Sequence, residues 1–378
     1  MAKTNLLYVI TKLELGGAQT QLLSLIRNLD TSQYNISLFT AHDGILIPDA
    51  LAISGLNVHR SRFLERSINP VLDIPAFFEL VSFIKQNQIR IVHTHSSKAG
   101  ILGRLAAAVA GVQGIYHTVH GWSFHPYQHF FVRAVYVFFE RIAACVTKKI
   151  IVVCRADKER GMRAGIGRAD SYEVIPYAID ARAFGITDPF IRQELGIASD
   201  ALVVGTVACF KPQKAPLDYL ALARIIVDKM PGVVFVMAGD GSLRRVIERF
   251  IGKHGLEKNV ILAGWRRDIP RVLAAFDVFV LTSYWEGLPI SVMEAMASSL
   301  PVVATHTGGI AEIINEPRTG YLCACGDLDA LSNRVLRLLH DKGLRKSVGA
   351  NACKSLMPGF TSQHAACSTQ ALYSGAGG

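Results

Sequence analysis

The sequence predicts an α/β protein made of two doubly wound domains, and three observations carry that reading. The chain has 378 residues, too many for one ordinary domain and suited to two of roughly 150–200 residues each. Hydrophobic residues make up 50% and charged residues 19%, against a norm of about 25% charged. That much apolar surface offsets the ordering entropy and excludes a disordered chain. Short β-rich apolar runs alternate with amphipathic stretches from end to end, the pattern of parallel strands covered by helices.

In order, strands are expected at Leu6–Ile10, Ile36–Phe39, Ile89–His93, Ile115–Val119 and Ile150–Val153. A second set follows at Val203–Ala208, Val233–Ala238, Val260–Leu262, Val278–Leu281 and Pro301–Ala304. Helices such as Ala18–Leu29 and Ser291–Ser298 fill the intervals. The turn-rich stretch Pro176–Gly196 interrupts the alternation and marks the domain boundary. The expected division is 1–180 for an N-terminal domain, 181–358 for a C-terminal domain and 359–378 for a closing helix.

The 7 cysteines are odd in number, scattered and without a CxxC pair, which fits a reducing cytosol better than a disulfide scaffold or zinc ribbon. The segment Met1–Leu13 has a short apolar run and no small-residue cleavage site, so no secretory leader is expected. The longest uncharged stretch, between Arg104 and Arg133, is rich in His and Gly and reads as no spanning helix. A soluble protein is expected. Net charge is +10, and residues 133–168 alone carry 9 Lys and Arg against 3 Asp and Glu. Aromatic residues Trp122 to Phe139 precede and enter this patch. Basic residues beside aromatics suit an anionic partner such as a membrane surface, a phosphorylated lipid or nucleic acid.

In doubly wound folds, ligands bind beyond the carboxyl ends of the strands, and the unusual residues fall there. Gly16-Gly17-Ala18 opens a helix after the first strand, where glycine permits close backbone approach and the helix start favours an anion. Alone it reads equally as a tight turn. His93, His95, His117 and His120 follow two strands. They alternate along the strands with no carboxylate beside them, which argues against a metal site. His93 and His117 read as core, His95 and His120 as the polar rim of a substrate cleft. Lys211 and Lys214 occupy a strand-end loop suited to phosphate oxygens, or simply a solvated turn. Gly239-Asp240-Gly241 and Thr307-Gly308-Gly309 form further loops that a ligand's phosphates can approach.

The most informative segment is Ser283–Met296. A strand ends near Leu281, Gly287 permits a tight turn and Pro289 suits the first helical position. Glu286 would precede the helix and Glu294 would lie inside it, with the free N–H groups of the helix start between them able to hold a diphosphate. Glu294 could be a surface residue, but apolar Val292, Met293, Ala295 and Met296 around it place it partly inside, and a buried carboxylate needs partners.

Together these residues resemble glycosyltransferase family 4, built on the GT-B fold. The resemblance covers essentially the whole chain. It rests on Gly-Gly-Ala at 16–18, His-Ser-Ser-Lys-Ala-Gly at 95–100, His-Gly at 120–121, Pro-Gln-Lys at 212–214 and Gly-Asp-Gly at 239–241. Gly-Trp-Arg-Arg-Asp at 264–268, Glu-Gly-Leu-Pro at 286–289, Glu-Ala-Met at 294–296, Pro-Val-Val-Ala at 301–304 and Thr-Gly-Gly at 307–309 complete it.

The resemblance implies a metal-independent, retaining transfer of a hexosyl or N-acetylhexosaminyl group from a nucleotide diphosphate sugar, with no cofactor. It implies that Lys214 meets the diphosphate and Glu294 the ribose. Glu286, Gly287, Leu288, Pro289 and Ile290 would lie by the donor sugar, and Gly239 and Gly241 in the donor loop. Arg266, Arg267 and Asp268 would flank the base. His120 would face the donor sugar, while Gly17 would lie near phosphate and acceptor. Gly16, His95, Lys98 and Trp122 complete the acceptor side. Catalysis would fall to His120, Glu286 and Lys214 in a cleft between the domains. The closing helix, near Thr361–Tyr373, would return to the N-terminal domain.

Two departures stand out. Cys209 replaces the family's usual Arg, leaving a diphosphate contact absent or transferred to Lys211, and Ser299 replaces a more usual Gly. Within the family, His117–Trp122 followed by an aromatic, basic helix looks like the bacterial surface-polysaccharide branch. That branch implies a UDP-sugar donor, a lipid-linked saccharide acceptor and a peripheral place on the inner face of the cytoplasmic membrane. The helix Gln128–Val146 is apolar on nearly all sides. It is expected in the core, with the following basic stretch as the part that meets an anionic membrane. The rival readings are a GDP-mannose-dependent mannosyltransferase, a nucleotide-sugar epimerase on the same fold, and a sugar- or nucleic-acid-binding protein. No nucleic-acid recognition module is present, so nucleic acid is not an expected partner.

Overall fold

The computed structural model describes residues 3–356 and 360–374, and they divide into two compact units. One runs to Ala178 and resumes at Ser362; the other is Ile179–Thr361.

The first unit carries strands β1 (Thr4–Val9), β2 (Tyr34–Ala41), β3 (Leu56–Ser61), β4 (Ile91–His95), β5 (Gly114–Val119), β6 (Lys149–Val152) and β7 (Tyr172–Val174). Its helices are α1 (Gly17–Arg27), α2 (Ile47–Leu51), α3 (Pro70–Gln86), α4 (Ser97–Val109), α5 (Phe130–Cys145) and α6 (Arg155–Arg163). The sheet order is β3-β2-β1-β4-β5-β6-β7, parallel throughout, with Leu6 opposite both Ile36 and Ile91. The order reverses between β1 and β4, which makes that gap the switch point where a doubly wound sheet takes its ligand.

In the second unit the strands are β8 (Val203–Val207), β9 (Val234–Ala238), β10 (Val260–Gly264), β11 (Val278–Leu281), β12 (Val302–Thr305) and β13 (Gly320–Cys323). Its helices are α7 (Ile191–Glu194), which precedes β8, and α8 (Pro216–Lys229), α9 (Arg244–His254), α10 (Ile269–Ala274), α11 (Ile290–Ala297), α12 (Ile310–Ile313), α13 (Leu328–His340) and α14 (Lys342–Leu356) between and after the strands. The order β10-β9-β8-β11-β12-β13 places the switch point between β8 and β11. Strands buried on both faces need continuous apolar runs, and Val203, Val204, Phe235, Val236 and Val278–Val280 are all fully buried.

The final helix, α15 (Ser362–Ser374), belongs to the first unit. Tyr373 is buried in that unit's core, its hydroxyl 2.9 Å from that of Tyr8, and Tyr116 donates to the Leu372 carbonyl at 2.8 Å. The expected strands all form, within a few residues. The three strands without an expectation, β3, β7 and β13, are sheet edges; β3 is largely half-exposed, and β7 and β13 are only 3 and 4 residues long.

The helix expected in the core is a correction. α5 buries only Glu140 and Ala143, while Phe130, Phe131, Val132, Val135, Phe138, Phe139 and Ile142 are 38–64% exposed. The reason is polar: Arg104 of α4, fully buried, binds Glu140 at 2.6 Å. A buried charge must face its partner, so the ion pair turns the apolar face of α5 outward. Among the described residues no helix is long and apolar enough to cross a membrane.

Candidate active site

The second unit's switch point gathers four loops. After β8, Lys211–Lys214 forms a short turn in which Lys214 reaches across the gap to Glu286, at 2.5 Å. Ser283 Oγ donates to the same carboxylate at 2.6 Å, and Gln213 Nε2 donates to the Trp285 carbonyl at 2.9 Å. Glu286 is thus a buried, fixed carboxylate. The Tyr284 N–H donates to the Gln213 carbonyl at 2.9 Å, which ties the two loops together. Ser283 and Gln213, not singled out from the sequence, orient the carboxylate; their signal was adjacency to Glu286 and Lys214.

The glycines of the neighbouring loops act as spacers. Gly308 has φ +55°, and a Cβ there would lie 2.2 Å from the Glu286 carbonyl oxygen. Gly309 donates its N–H to the Gly287 carbonyl at 2.6 Å. Gly239 has φ +139°, and its Cβ would strike the Ala208 carbonyl at 2.0 Å. Only glycine lets these loops pack directly on the loops beside them. The stretch Gly287-Leu288-Pro289 then turns into α11. Pro289 caps the helix instead of taking its first position, and Ile290 begins it, one residue before the expected Ser291. The first N–H groups of α11 have no intrahelical acceptor.

Glu294 lies in the second turn of α11 and is half-buried. No described residue hydrogen-bonds its carboxylate, and burial pushes its pKa up to about 7. A desolvated acceptor without a donor suits a ligand that brings hydroxyl donors. Lys211 is half-buried, and its ammonium has no partner among the described residues. Cys209 sits two residues before it, where an arginine was expected. The loop after β10 is otherwise engaged. Arg266 pairs with Asp268 at 2.6 Å and with Glu194 at 2.7 Å, and Arg267 is exposed. The Gly239 N–H to Gly264 carbonyl bond, 2.8 Å, sets that loop beside the Gly239 loop.

At the first unit's switch point, Thr11 after β1 meets Ser96 after β4, Oγ1 to Oγ at 2.7 Å. Ser96 has φ +61°, a strained conformation for a non-glycine residue. Gly16 is extended, and Gly17 begins α1. Beside them runs a ladder of rings. His93 stacks on His95 with centroids 4.5 Å apart, and His95 on His120 at 5.1 Å. His120 Nε2 lies 2.8 Å from His95 Nδ1, and its Nδ1 lies 2.7 Å from the Tyr177 hydroxyl. Burial holds these rings neutral, with His93 and His120 pushed down to about 3.

Three acceptor-side expectations change here. His95 is 1% exposed and supports His120 from beneath instead of forming a rim. Trp122 is 4% exposed, donates to the Asp157 carbonyl at 2.8 Å and packs on Phe124, so it is core. Lys98 is taken by Asp73 and the Ser67 carbonyl. Tyr177, which the sequence reading passed over, holds the outer nitrogen of His120. Its signal was Pro176, which stops β7 and turns the chain.

Two parallel doubly wound sheets, each with loops gathered at its switch point, have the layout of the GT-B fold. Residues 15–183 match the family profile described as Glycosyltransferase Family 4, and residues 187–355 match Glycosyl transferases group 1. The chain is 33% identical over 352 residues to the UDP-Gal:alpha-D-GlcNAc-diphosphoundecaprenol alpha-1,3-galactosyltransferase of Escherichia coli, covering 92% of this chain and 90% of that one. Two solved structures share the fold. Anabaena HepE in complex with UDP and glucose has TM-score 0.85 and 21% identity, covering 98% of this chain and 99% of that one. Sucrose-phosphate synthase from Thermosynechococcus elongatus has TM-score 0.86 and 20% identity, with 99% of each chain covered. The chain belongs to glycosyltransferase family 4, and it is a hexosyl transferase.

Proposed function

We propose that this enzyme moves a hexosyl group from a UDP-sugar to a hydroxyl of a lipid diphosphate-linked saccharide, with retention of anomeric configuration, in polysaccharide biosynthesis at the inner face of the cytoplasmic membrane. The observation that carries it is the Lys214–Glu286 pair set beside the open start of α11, with the unpartnered Glu294 a turn further on. The names of the Escherichia coli relative and of Anabaena HepE support the UDP donor, and the former supports the lipid diphosphate acceptor.

In this reading the donor diphosphate lies between Lys214 and the N–H groups at Leu288 and Ile290. Lys211 supplies the second cation that Cys209 does not. Glu294 accepts from the ribose hydroxyls, and Glu286, released from part of its bond to Lys214, accepts from the donor sugar. Arg266, Arg267 and Asp268 border the base. When the C1–O bond breaks, its electron pair passes to the diphosphate, and the lysines and helix start stabilise that charge where it develops. The acceptor oxygen bonds to C1 on the same face, and its proton passes to the departing phosphate oxygen. In the first unit, Gly16 and Gly17 serve the acceptor side, and His120, its ring fixed by His95 and Tyr177, keeps the catalytic role that the resemblance implies.

Radiolabelled UDP-galactose, UDP-glucose and UDP-N-acetylglucosamine, each with and without a lipid diphosphate-linked N-acetylglucosamine, provide the test. Label should enter the organic phase only with the acceptor, and the product should keep the donor's anomeric configuration. Epimerised UDP-sugar without acceptor, or transfer from GDP-mannose alone, would replace the proposal with one of its rivals.

A further inference from the structure

We propose that the first unit inserts the outward faces of α5 and α3 into a lipid bilayer containing anionic lipid, and that apolar insertion, rather than the basic stretch after α5, dominates this binding. The inference stands on a surface apart from the nucleotide site.

At 100° per residue, Phe131, Val132, Val135, Phe138, Phe139 and Ile142 occupy an arc of about 120° on α5, opposite buried Glu140. α4 packs against both α5 and α3. On α3, Val71, Ile74 and Phe78 follow the i, i+3, i+7 spacing of one stripe and are 59–78% exposed, with Ile68 at 69% just before it. The three phenylalanines of that arc alone present roughly 330 Å², taking about 200 Å² for each aromatic side chain. Val132, Val135 and Ile142 bring the α5 stripe to the upper part of the roughly 300–600 Å² of the largest apolar patch on a typical monomer, and the α3 stripe comes in addition.

The charges around these stripes are one-sided. From 128 to 149 the one acidic residue is Glu140, buried against Arg104, whereas Arg133 and Arg141 are exposed. Around α3, Asp73 is held by Lys98, Glu79 by His59 and Ser61, and Glu65 accepts from Ser67, while five cations, Arg60, Arg62, Arg66, Lys85 and Arg90, are exposed. An apolar face with cations beside it and its carboxylates neutralised inside matches a bilayer with anionic headgroups.

The test is flotation of the full chain with vesicles of phosphatidylcholine and of an equimolar phosphatidylcholine–phosphatidylglycerol mixture, at low salt and at about 1 M salt, where the screening length falls to about 3 Å. Most of the binding to the anionic vesicles should survive the salt. Phe131→Ser with Phe138→Ser should lower partitioning about tenfold or more, while Arg133→Gln with Arg141→Gln should lower it less. If the serine variant fails to fold, a polarity-sensitive dye on Cys145, at the end of α5, in a Cys367→Ser background provides an independent readout. It should shift to the blue when vesicles are added. Complete loss of binding in salt, an unshifted dye, or a dimer in sedimentation that the serine variant abolishes would each overturn the proposal. Transfer to a short-chain, water-soluble acceptor should be unaffected by the serine variant. Loss of that activity in all proteins would count against the proposed reaction and not against this surface.

Discussion

Lys214 and Glu294 face opposite electrostatic problems. Lys214 already has a carboxylate partner, so a donor diphosphate must compete with Glu286 for it. Removing the ammonium leaves the diphosphate short of one charged hydrogen bond, so Lys214→Ala should cost about 1.5–3 kcal/mol in kcat/KM, read from initial rates. Glu294 lacks a partner and pays in desolvation. Its folded pKa of about 7 lies above the ordinary 4.5, so the unfolded chain releases this proton first. Stability is therefore fully present below about pH 4.5 and falls as pH rises to 7. Glu294→Gln should remove that penalty and stabilise the ligand-free enzyme by up to about 3 kcal/mol above pH 7, with no gain at pH 4, measured by urea unfolding. The same residue predicts binding. The ionised carboxylate accepts ribose hydroxyls, so affinity for a UDP-sugar, whose diphosphate diester charge is constant here, should rise from pH 6 to pH 8. In Glu294→Gln it should be weak and flat with pH in calorimetry.

At the level of elements, the loops between strands and helices set the site's tolerances. Gly308 is tightly confined, its missing Cβ 2.2 Å from the Glu286 carbonyl. Gly308→Ala should displace the Glu286 turn and weaken nucleotide binding about tenfold or more, the scale of one or two lost hydrogen bonds. Ser299 behaves differently. It links α11 to β12 at φ +57°, a conformation that costs a side-chain-bearing residue about 1–2 kcal/mol. Allowing for the entropy glycine loses on folding, Ser299→Gly should stabilise the protein by about 0.5–1 kcal/mol, seen as a higher urea midpoint with unchanged slope. Strand positions were legible because buried parallel strands need uninterrupted apolar runs, as at Val203–Val207 and Val278–Leu281. The orientation of α5 was not. Its composition alone reads as core, and only the position of Arg104 on the neighbouring helix decides which face turns inward.

Across the whole chain, two units repeat one plan, each with its switch point beside its first strand. That plan was readable from strand–helix alternation. So were the residues it brings together in the second unit, because Lys214, Gly239, Glu286 and Gly308 all lie in loops that follow strand ends. The first unit was harder to read, since a histidine in a parallel strand can be core, rim or support, and His95 became support through its stack on His120. The chain's return to its first unit is also structural: Tyr373 fills the core beside Tyr8 and Tyr116. Tyr373→Ala should cost about 3–5 kcal/mol, as for a large buried aromatic residue, measured as a lower melting temperature.

The most direct measurement is calorimetric titration of the folded protein with UDP-sugars, wild type beside Lys214→Ala. Saturable 1:1 binding that weakens by at least tenfold in the variant is the expected result. Absence of binding to any sugar nucleotide, or equal affinity in both proteins, would contradict a diphosphate held between Lys214 and the start of α11.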